Sequence, residues 1–123
     1  MTQSLEDYLE TVSFLADECG GAVRLTDIAS RLGVSKPSVF TALKILEGRG
    51  LLEHERYRTI TLTEKGETEA AEIRDRHTFL TVFLKKVVGV SPDTAEKDAC
   101  KMEHLLSAET LQKMKFLAQN CKK

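Results

Sequence analysis

Tryptophan is absent from this sequence, and prolines number 2, cysteines 3 and glycines 7. So little Pro and Gly excludes a collagenous or Pro-rich low-complexity chain, and 41% hydrophobic residues are too many for a disordered one. No apolar run approaches the about 20 residues that a membrane span requires. The first eighteen residues contain neither Lys nor Arg, so the charged leading region of a secretory signal is missing. The expectation is a cytoplasmic protein. Cys19, Cys100 and Cys121 are widely spaced and odd in number, which argues against a disulfide framework and leaves each thiol to packing or to chemistry.

What is present is a chain of 123 residues, 30% charged, with a net charge of −1. That is room for one domain, or for one module with an appendage. The balanced total speaks against a simple polybasic nucleic-acid binder, but its distribution is uneven. Residues 1–18 carry Glu6, Asp7, Glu10, Asp17 and Glu18 with no cation among them. Residues 31–58 carry Arg31, Lys36, Lys44, Arg49, Arg56 and Arg58 against only Glu47, Glu53 and Glu55.

Apolar periodicity divides the chain into elements. Leu5, Tyr8, Leu9, Val12, Leu15 and Ala16 recur on one helical face, opened by Ser4 and stopped by Gly20-Gly21. Thr26 is placed to cap a short helix, Asp27 to Leu32, ended by Gly33. Ser35 caps a third helix with Lys36 and Pro37 in its first turn and an apolar stripe of Val39, Ala42, Leu43 and Leu46. Leu51–Glu55 and Thr59–Thr63 read as two short strands with Arg56-Tyr57-Arg58 at the hairpin tip. A long helix starts at Thr63 or Glu64 and runs past His77 to about Val88, where Gly89 breaks it. Ser91-Pro92-Asp93 starts the next helix, running through Cys100 to about Leu106. Ser107 or Ala108 starts the last, ending near Gln119, and Lys122-Lys123 is a frayed tail. The reading is a mainly α protein: a winged helix-turn-helix with a small β-hairpin wing over residues 1–63, then an all-helical part over residues 64–123.

A helix, a tight glycine-containing turn, a second helix and a hairpin form a unit suited to duplex DNA. The second helix enters the major groove while the first crosses the backbone. The polar positions opposite the apolar stripe are Ser35, Lys36, Ser38, Thr41 and Lys44; with Pro37 in the first turn they form the candidate DNA-facing set. Arg56 and Arg58 at the hairpin tip would reach phosphates or a minor groove. Winged helices also serve as protein-interaction modules, but here the local cations concentrate on the two elements that would touch a duplex. With no Asn or Gln on the helix, sequence preference would rest substantially on shape and dimer spacing.

A second constellation lies in the C-terminal half. Cys100, Glu103 and His104 stand at i, i+3 and i+4 of one helix and share a face, with Glu96 one turn earlier. The apolar positions Ala95, Ala99, Met102 and Leu106 lie next to them. Thiolate, carboxylate and imidazole together suit a mid-to-late first-row divalent metal better than Ca²⁺ or Mg²⁺. On the first helix Asp7 and Glu10 stand at i and i+3 with Phe14 about a turn beyond. Carboxylates beside an aromatic are costly to bury unless a cation joins them. His77 is the remaining obvious nitrogen donor.

At this point the chain resembles a family. Leu5-Glu6-Asp7-Tyr8-Leu9-Glu10-Thr11, Asp27-Ile28-Ala29-x-x-Leu32, Val34-Ser35-x-Pro37-Ser38-Val39, Leu62-Thr63-x-x-Gly66, Arg76-His77 and Cys100-x-x-Glu103-His104-x-Leu106-Ser107 are similar to the iron- and manganese-dependent repressors of the diphtheria toxin repressor and manganese transport regulator type. The likeness covers residues 4 to about 117. It implies a homodimer joined through the C-terminal helices, a palindromic double-stranded DNA operator at metal-uptake genes, and Mn²⁺ or Fe²⁺ as corepressor, with Co²⁺, Ni²⁺ or Zn²⁺ able to substitute in vitro. It further implies the short, two-domain form. Carried across, Asp7, Cys100, Glu103 and His104 match primary metal-site positions, Glu10 and His77 a neighbouring or shared site, and Glu96 a candidate second-site ligand. Manganese-type members carry an acid where Cys100 stands, and iron-type members carry Met where Asp7 stands, so the site reads as a hybrid of hard oxygen and soft sulfur. The resemblance implies neither an enzyme, a small-molecule substrate nor a membrane partner. Two other classes compete: a winged-helix regulator holding a permanent structural zinc with metal-independent DNA binding, and a metalloenzyme, for which too few residues lie outside the two modules to build a substrate pocket.

Overall fold

The structure, a computed structural model, describes residues 3–54 and 59–120. The chain forms two compact units, Met1–Glu72 and Ile73–Lys123.

In the N-terminal unit the elements follow as α1 (Gln3–Cys19), β1 (Val23–Arg24), α2 (Leu25–Leu32), α3 (Lys36–Gly48), β2 (Leu52–His54) and β3 (Thr59–Leu62), with the start of α4 (Glu64–Phe83). The stripe on α1 does what its spacing implies: Leu5, Leu9, Val12 and Leu15 are buried, and α1 packs on α2 and α3. Ile28 of α2 and Val39, Leu43 and Leu46 of α3 fill the same core, each with no exposed surface. Burying side chains of this size stabilises the unit by about 1.5–3 kcal/mol apiece. Gly33 turns the chain from α2 to α3 at φ 67°, in the left-handed region open to glycine. Ser35 caps α3 as its position predicts, its side chain accepting the Ser38 N–H at 3.3 Å.

The sheet differs from a plain hairpin. It has three antiparallel strands in the order β1-β3-β2, with Val23 opposite Ile60 and Leu52 opposite Leu62. The two-residue β1 has no length in which to show an alternating pattern. It also displaces the expected cap: Arg24, extended by its pairing with Thr59, is the N-cap residue of α2 and supplies no side-chain bond, so the helix begins at Leu25 and Thr26 lies inside it. The hairpin tip, with Arg56 and Arg58, lies outside the described residues, as does Cys121.

The entry to α4 is fixed by contacts to the turn after α3. The Thr63 hydroxyl donates to the Gly50 carbonyl at 2.6 Å and accepts the Gly66 N–H at 3.0 Å, capping the helix. The Thr63 N–H in turn donates to the Leu51 carbonyl at 3.1 Å. This brings α4 so close to the Leu51 backbone that a Cβ on Gly66 would run into the Leu51 carbonyl oxygen.

The C-terminal unit comprises the second half of α4, a wide π-helical turn (Leu84–Val88), α5 (Pro92–Met102) and α6 (Ala108–Asn120). The π turn widens the end of the long helix, which the sequence reads as continuous α, and Gly89 ends it at φ 91°. Ser91 caps α5, accepting the Thr94 N–H at 3.3 Å. Ala95 and Ala99 of α5 pack against Leu80 and Leu84 with Met102, Leu106, Leu111 and Met114 around them. α5 stops at Met102 rather than near Leu106, because the Met102 carbonyl accepts both the Leu105 and Leu106 N–H at 3.0 and 3.2 Å and tightens the chain into a turn. None of the described helices is long and apolar enough to cross a membrane.

Alanine is the better helix former by about 1 kcal/mol, yet Gly66→Ala is expected to destabilise the protein by about 3 kcal/mol, because backbone is the obstacle. Chemical denaturation followed by circular dichroism checks this; equal or greater stability would refute the close approach.

Candidate functional site

Glu103 and its neighbour His104 are ionisable residues of the C-terminal unit whose side chains are fully buried. Glu103 closes α5, its N–H bonded to the Ala99 carbonyl at 3.0 Å, and it is 1% exposed. Two rings face its carboxylate: His77 Nδ1, from α4, lies 3.0 Å from Oε2, and His104 Nε2, in the turn after α5, lies 3.1 Å from Oε1. His77 uses its other nitrogen as well, with Nε2 at 2.8 Å from Glu96 Oε1 on α5. Thr81, one turn along α4, gives its hydroxyl to the His77 carbonyl at 2.8 Å, so it braces its own helix while Glu96 meets the ring.

The donor set has a simple chemical meaning. A neutral imidazole carries a single N–H, and His77 has a carboxylate on each nitrogen. Two imidazoles and two carboxylates therefore offer more acceptors than protons within one partly buried pocket, which is the condition a divalent cation relieves. Nitrogen and oxygen donors fit a first-row divalent ion. Cys100 lies one turn before Glu103 on α5 and is exposed; of the set expected from the sequence, His77, Glu96, Glu103 and His104 are the four that these contacts join in this unit.

In the N-terminal unit Asp7 and Glu10 sit on α1 as predicted, half-buried beside the core residues Leu5, Leu9 and Val12. Phe14, one turn on, is 37% exposed. On α3, Ser35, Lys36, Pro37, Ser38, Thr41 and Lys44 are all exposed, on the side away from Val39, Ala42, Leu43 and Leu46. The Ser35 and Ser38 hydroxyls lie 2.8 Å apart, and the Thr41 hydroxyl donates to the Pro37 carbonyl at 3.0 Å. Arg31, counted among the local cations, is engaged otherwise: its guanidinium holds both oxygens of Glu18 at 2.8 and 2.9 Å and ties α2 to α1. Phe40, exposed on the outward side of α3 with Lys44 Nζ 5.1 Å from its ring centroid, is absent from the candidate set. Its signal was present in the sequence, as a large apolar residue outside the stripe.

Residues 1–60 match the family described as the iron dependent repressor, N-terminal DNA binding domain, and residues 63–123 match its metal binding and dimerisation domain. The chain belongs to the iron-dependent repressor family. A helix-turn-helix transcriptional regulator of Methanocaldococcus jannaschii is 38% identical over 122 residues, 99% of this chain and 98% of that protein. The transcriptional regulator MntR of Escherichia coli is 45% identical over 115 residues, 94% of this chain and 73% of that one. Among solved structures, the manganese regulator SloR aligns with a TM-score of 0.78 at 28% identity, covering 96% of this chain and 55% of that one. The chain thus spans about half the length of that structure. The paired matches assign to this repressor-family chain an N-terminal DNA-binding domain and a C-terminal metal-binding and dimerisation domain.

With both α3 helices of a dimer on DNA, Lys36→Ala is expected to reduce the slope of log affinity against log salt by about 1.8, which is about 0.9 for one phosphate contact in each subunit. Anisotropy titrations at several salt concentrations measure it, and an unchanged slope removes Lys36 from the interface.

Proposed function

We propose that this chain is a homodimeric transcriptional repressor activated by Mn²⁺ or Fe²⁺. The observation that carries the reading is the buried Glu103 carboxylate bracketed by His77 and His104 in the domain matched as metal-binding. The ion's ligands are drawn from Asp7, Glu10, His77, Cys100, Glu103 and His104, with Glu96 the candidate for a second ion. Bound there, the ion supplies positive charge to carboxylates that would otherwise repel one another.

Asp7 and Glu10 belong to the DNA-facing unit, and His77, Cys100, Glu103 and His104 to the dimerising one. A metal that binds one conformer of the protein more tightly shifts the population toward it. In a dimer that conformer sets the separation of the two α3 helices, which must match one turn of duplex, about 34 Å. The exposed apolar side chains Val88, Leu105, Phe116 and Leu117 in the C-terminal unit support association through that unit. The partner is a double-stranded, palindromic operator, in keeping with a two-fold protein, at genes of metal uptake. A regulator of this kind works in the cytoplasm and turns over no substrate.

The test is an anaerobic anisotropy titration of a palindromic operator with and without Mn²⁺, Fe²⁺ and Zn²⁺ at fixed salt. Binding that appears only with Mn²⁺ or Fe²⁺ is the expected result. Equal binding after chelation would instead favour a permanent structural zinc. Asp7→Ala and Glu103→Ala are each expected to abolish the metal-dependent binding while leaving a dimer by sedimentation; metal-stimulated binding retained in both would sink the reading. Cys100→Glu, which replaces soft sulfur by oxygen, is expected to shift activation toward Mn²⁺ relative to Fe²⁺ or Co²⁺. An identical activation profile across the three ions would remove Cys100 from the determinants of metal choice.

A further inference from the structure

The outward side of α3 carries a residue that neither hydrogen bonding nor charge accounts for. Phe40 is 47% exposed on a helix whose Val39, Ala42, Leu43 and Leu46 are buried. Lys36, Phe40 and Lys44 stand at i, i+4 and i+8, so they form one ridge along the helix surface. The Lys44 ammonium lies 5.1 Å from the ring centroid, a cation–π contact that holds the ring beside a positive charge. The acid of α3, Glu47, is directed elsewhere: its carboxylate accepts the His54 N–H at 3.4 Å on β2. The ridge is therefore an apolar ring between two cations, with Thr41 on the neighbouring outward position.

That combination selects an occupant. Two lysines favour a polyanion over an apolar protein patch. Among the groups that duplex DNA presents at base edges in the major groove, the thymine methyl is the apolar one, and a Phe ring is a suitable partner for it. The ring has no donor or acceptor with which to read any other edge. We propose that Phe40 packs on a thymine methyl in each half-site, making it a specificity-determining residue of α3. The inference rests on the repressor reading above and deepens it: part of the sequence preference of a helix without Asn or Gln comes from an apolar contact.

The experiment starts from duplexes enriched out of a random pool by the full chain with Mn²⁺. Each thymine of the enriched site is replaced in turn by deoxyuridine, which lacks only the methyl, and binding of the wild type and of Phe40→Ala is compared by anisotropy at fixed salt. One thymine per half-site is expected at which the replacement weakens the wild type about fourfold, the value of one buried methyl. The same replacement has no effect on Phe40→Ala, which binds the unmodified site about tenfold more weakly than the wild type. Binding of Phe40→Ala to an unrelated duplex is unchanged, because phosphate contacts carry it, and Phe40→Leu regains part of the loss. Additive effects of deoxyuridine and Phe40→Ala at every position overturn the proposal, as does an equal loss by Phe40→Ala on all duplexes. A change in oligomeric state on Phe40→Ala would also overturn it, since the ring would then pack on protein. Failure to enrich any duplex refutes the repressor reading and this inference with it, whereas an enriched site indifferent to Phe40 refutes this inference alone.

Discussion

A carboxylate with 1% of its surface exposed sets the terms for the C-terminal unit. Taking an ionised carboxylate out of water costs several kcal/mol unless opposite charge or hydrogen bonds replace the lost hydration. At Glu103 the groups that face the carboxylate are nitrogens of two histidines on different segments, one from α4 and one from the turn after α5, but neither approach has hydrogen-bond geometry, so a cation is what would complete the site. The arrangement requires α5 to lie close along α4, and Ala95 and Ala99 permit it: side chains this small let the helix pack directly on Leu80 and Leu84. The capping serine at position 91, the following proline and the left-handed Gly89 determine where α5 begins. The polar centre is thus held by apolar packing around it, and its ring of donors leaves an excess of acceptors for a cation.

The N-terminal unit solves a different problem with one helix. α3 must bury one side to belong to the core and leave the other free to meet a partner. The four buried residues at 39, 42, 43 and 46 do the first, and this confines Lys36, Phe40, Thr41 and Lys44 to the outside. Its end is anchored by the Thr63 hydroxyl and the close approach of Gly66 to Leu51, which join the turn after α3 to the start of α4. Arg31 illustrates how a sequence count of charge misleads: as a cation it adds to a basic segment, but its pairing with both oxygens of Glu18 makes it a link between α1 and α2.

Much of this was legible in the residues alone, for reasons that are local. Helical periodicity exposes the core stripes of α1 and α3, since a buried face repeats every three to four residues. Ser35, Ser91 and Thr63 mark helix starts because a side-chain oxygen there satisfies a free backbone N–H. The shared face of Cys100, Glu103 and His104 was visible through their spacing on a helix, and the likeness to a metal-binding family, His77 included, through the motifs. What escaped was set in part by neighbours distant in sequence. The strand at Val23–Arg24 exists only because β3 pairs with it, and that pairing moves the start of α2 back to Leu25. The end of α5 at Met102 and the π turn before Gly89 have no signature in propensity.

The sequence by itself determined the winged-helix order of elements, the family, and the residue types available for metal and DNA, because propensity, capping and motif spacing act over a few residues. The tertiary structure decided which of those side chains meet. It put Glu96 rather than Thr81 on His77, and it buried the Glu103 carboxylate between two imidazoles. It also left the Phe40 ring in solvent under Lys44. Burial and side-chain pairing depend on how separate helices pack, and no local pattern encodes the distance between residues brought together only by folding.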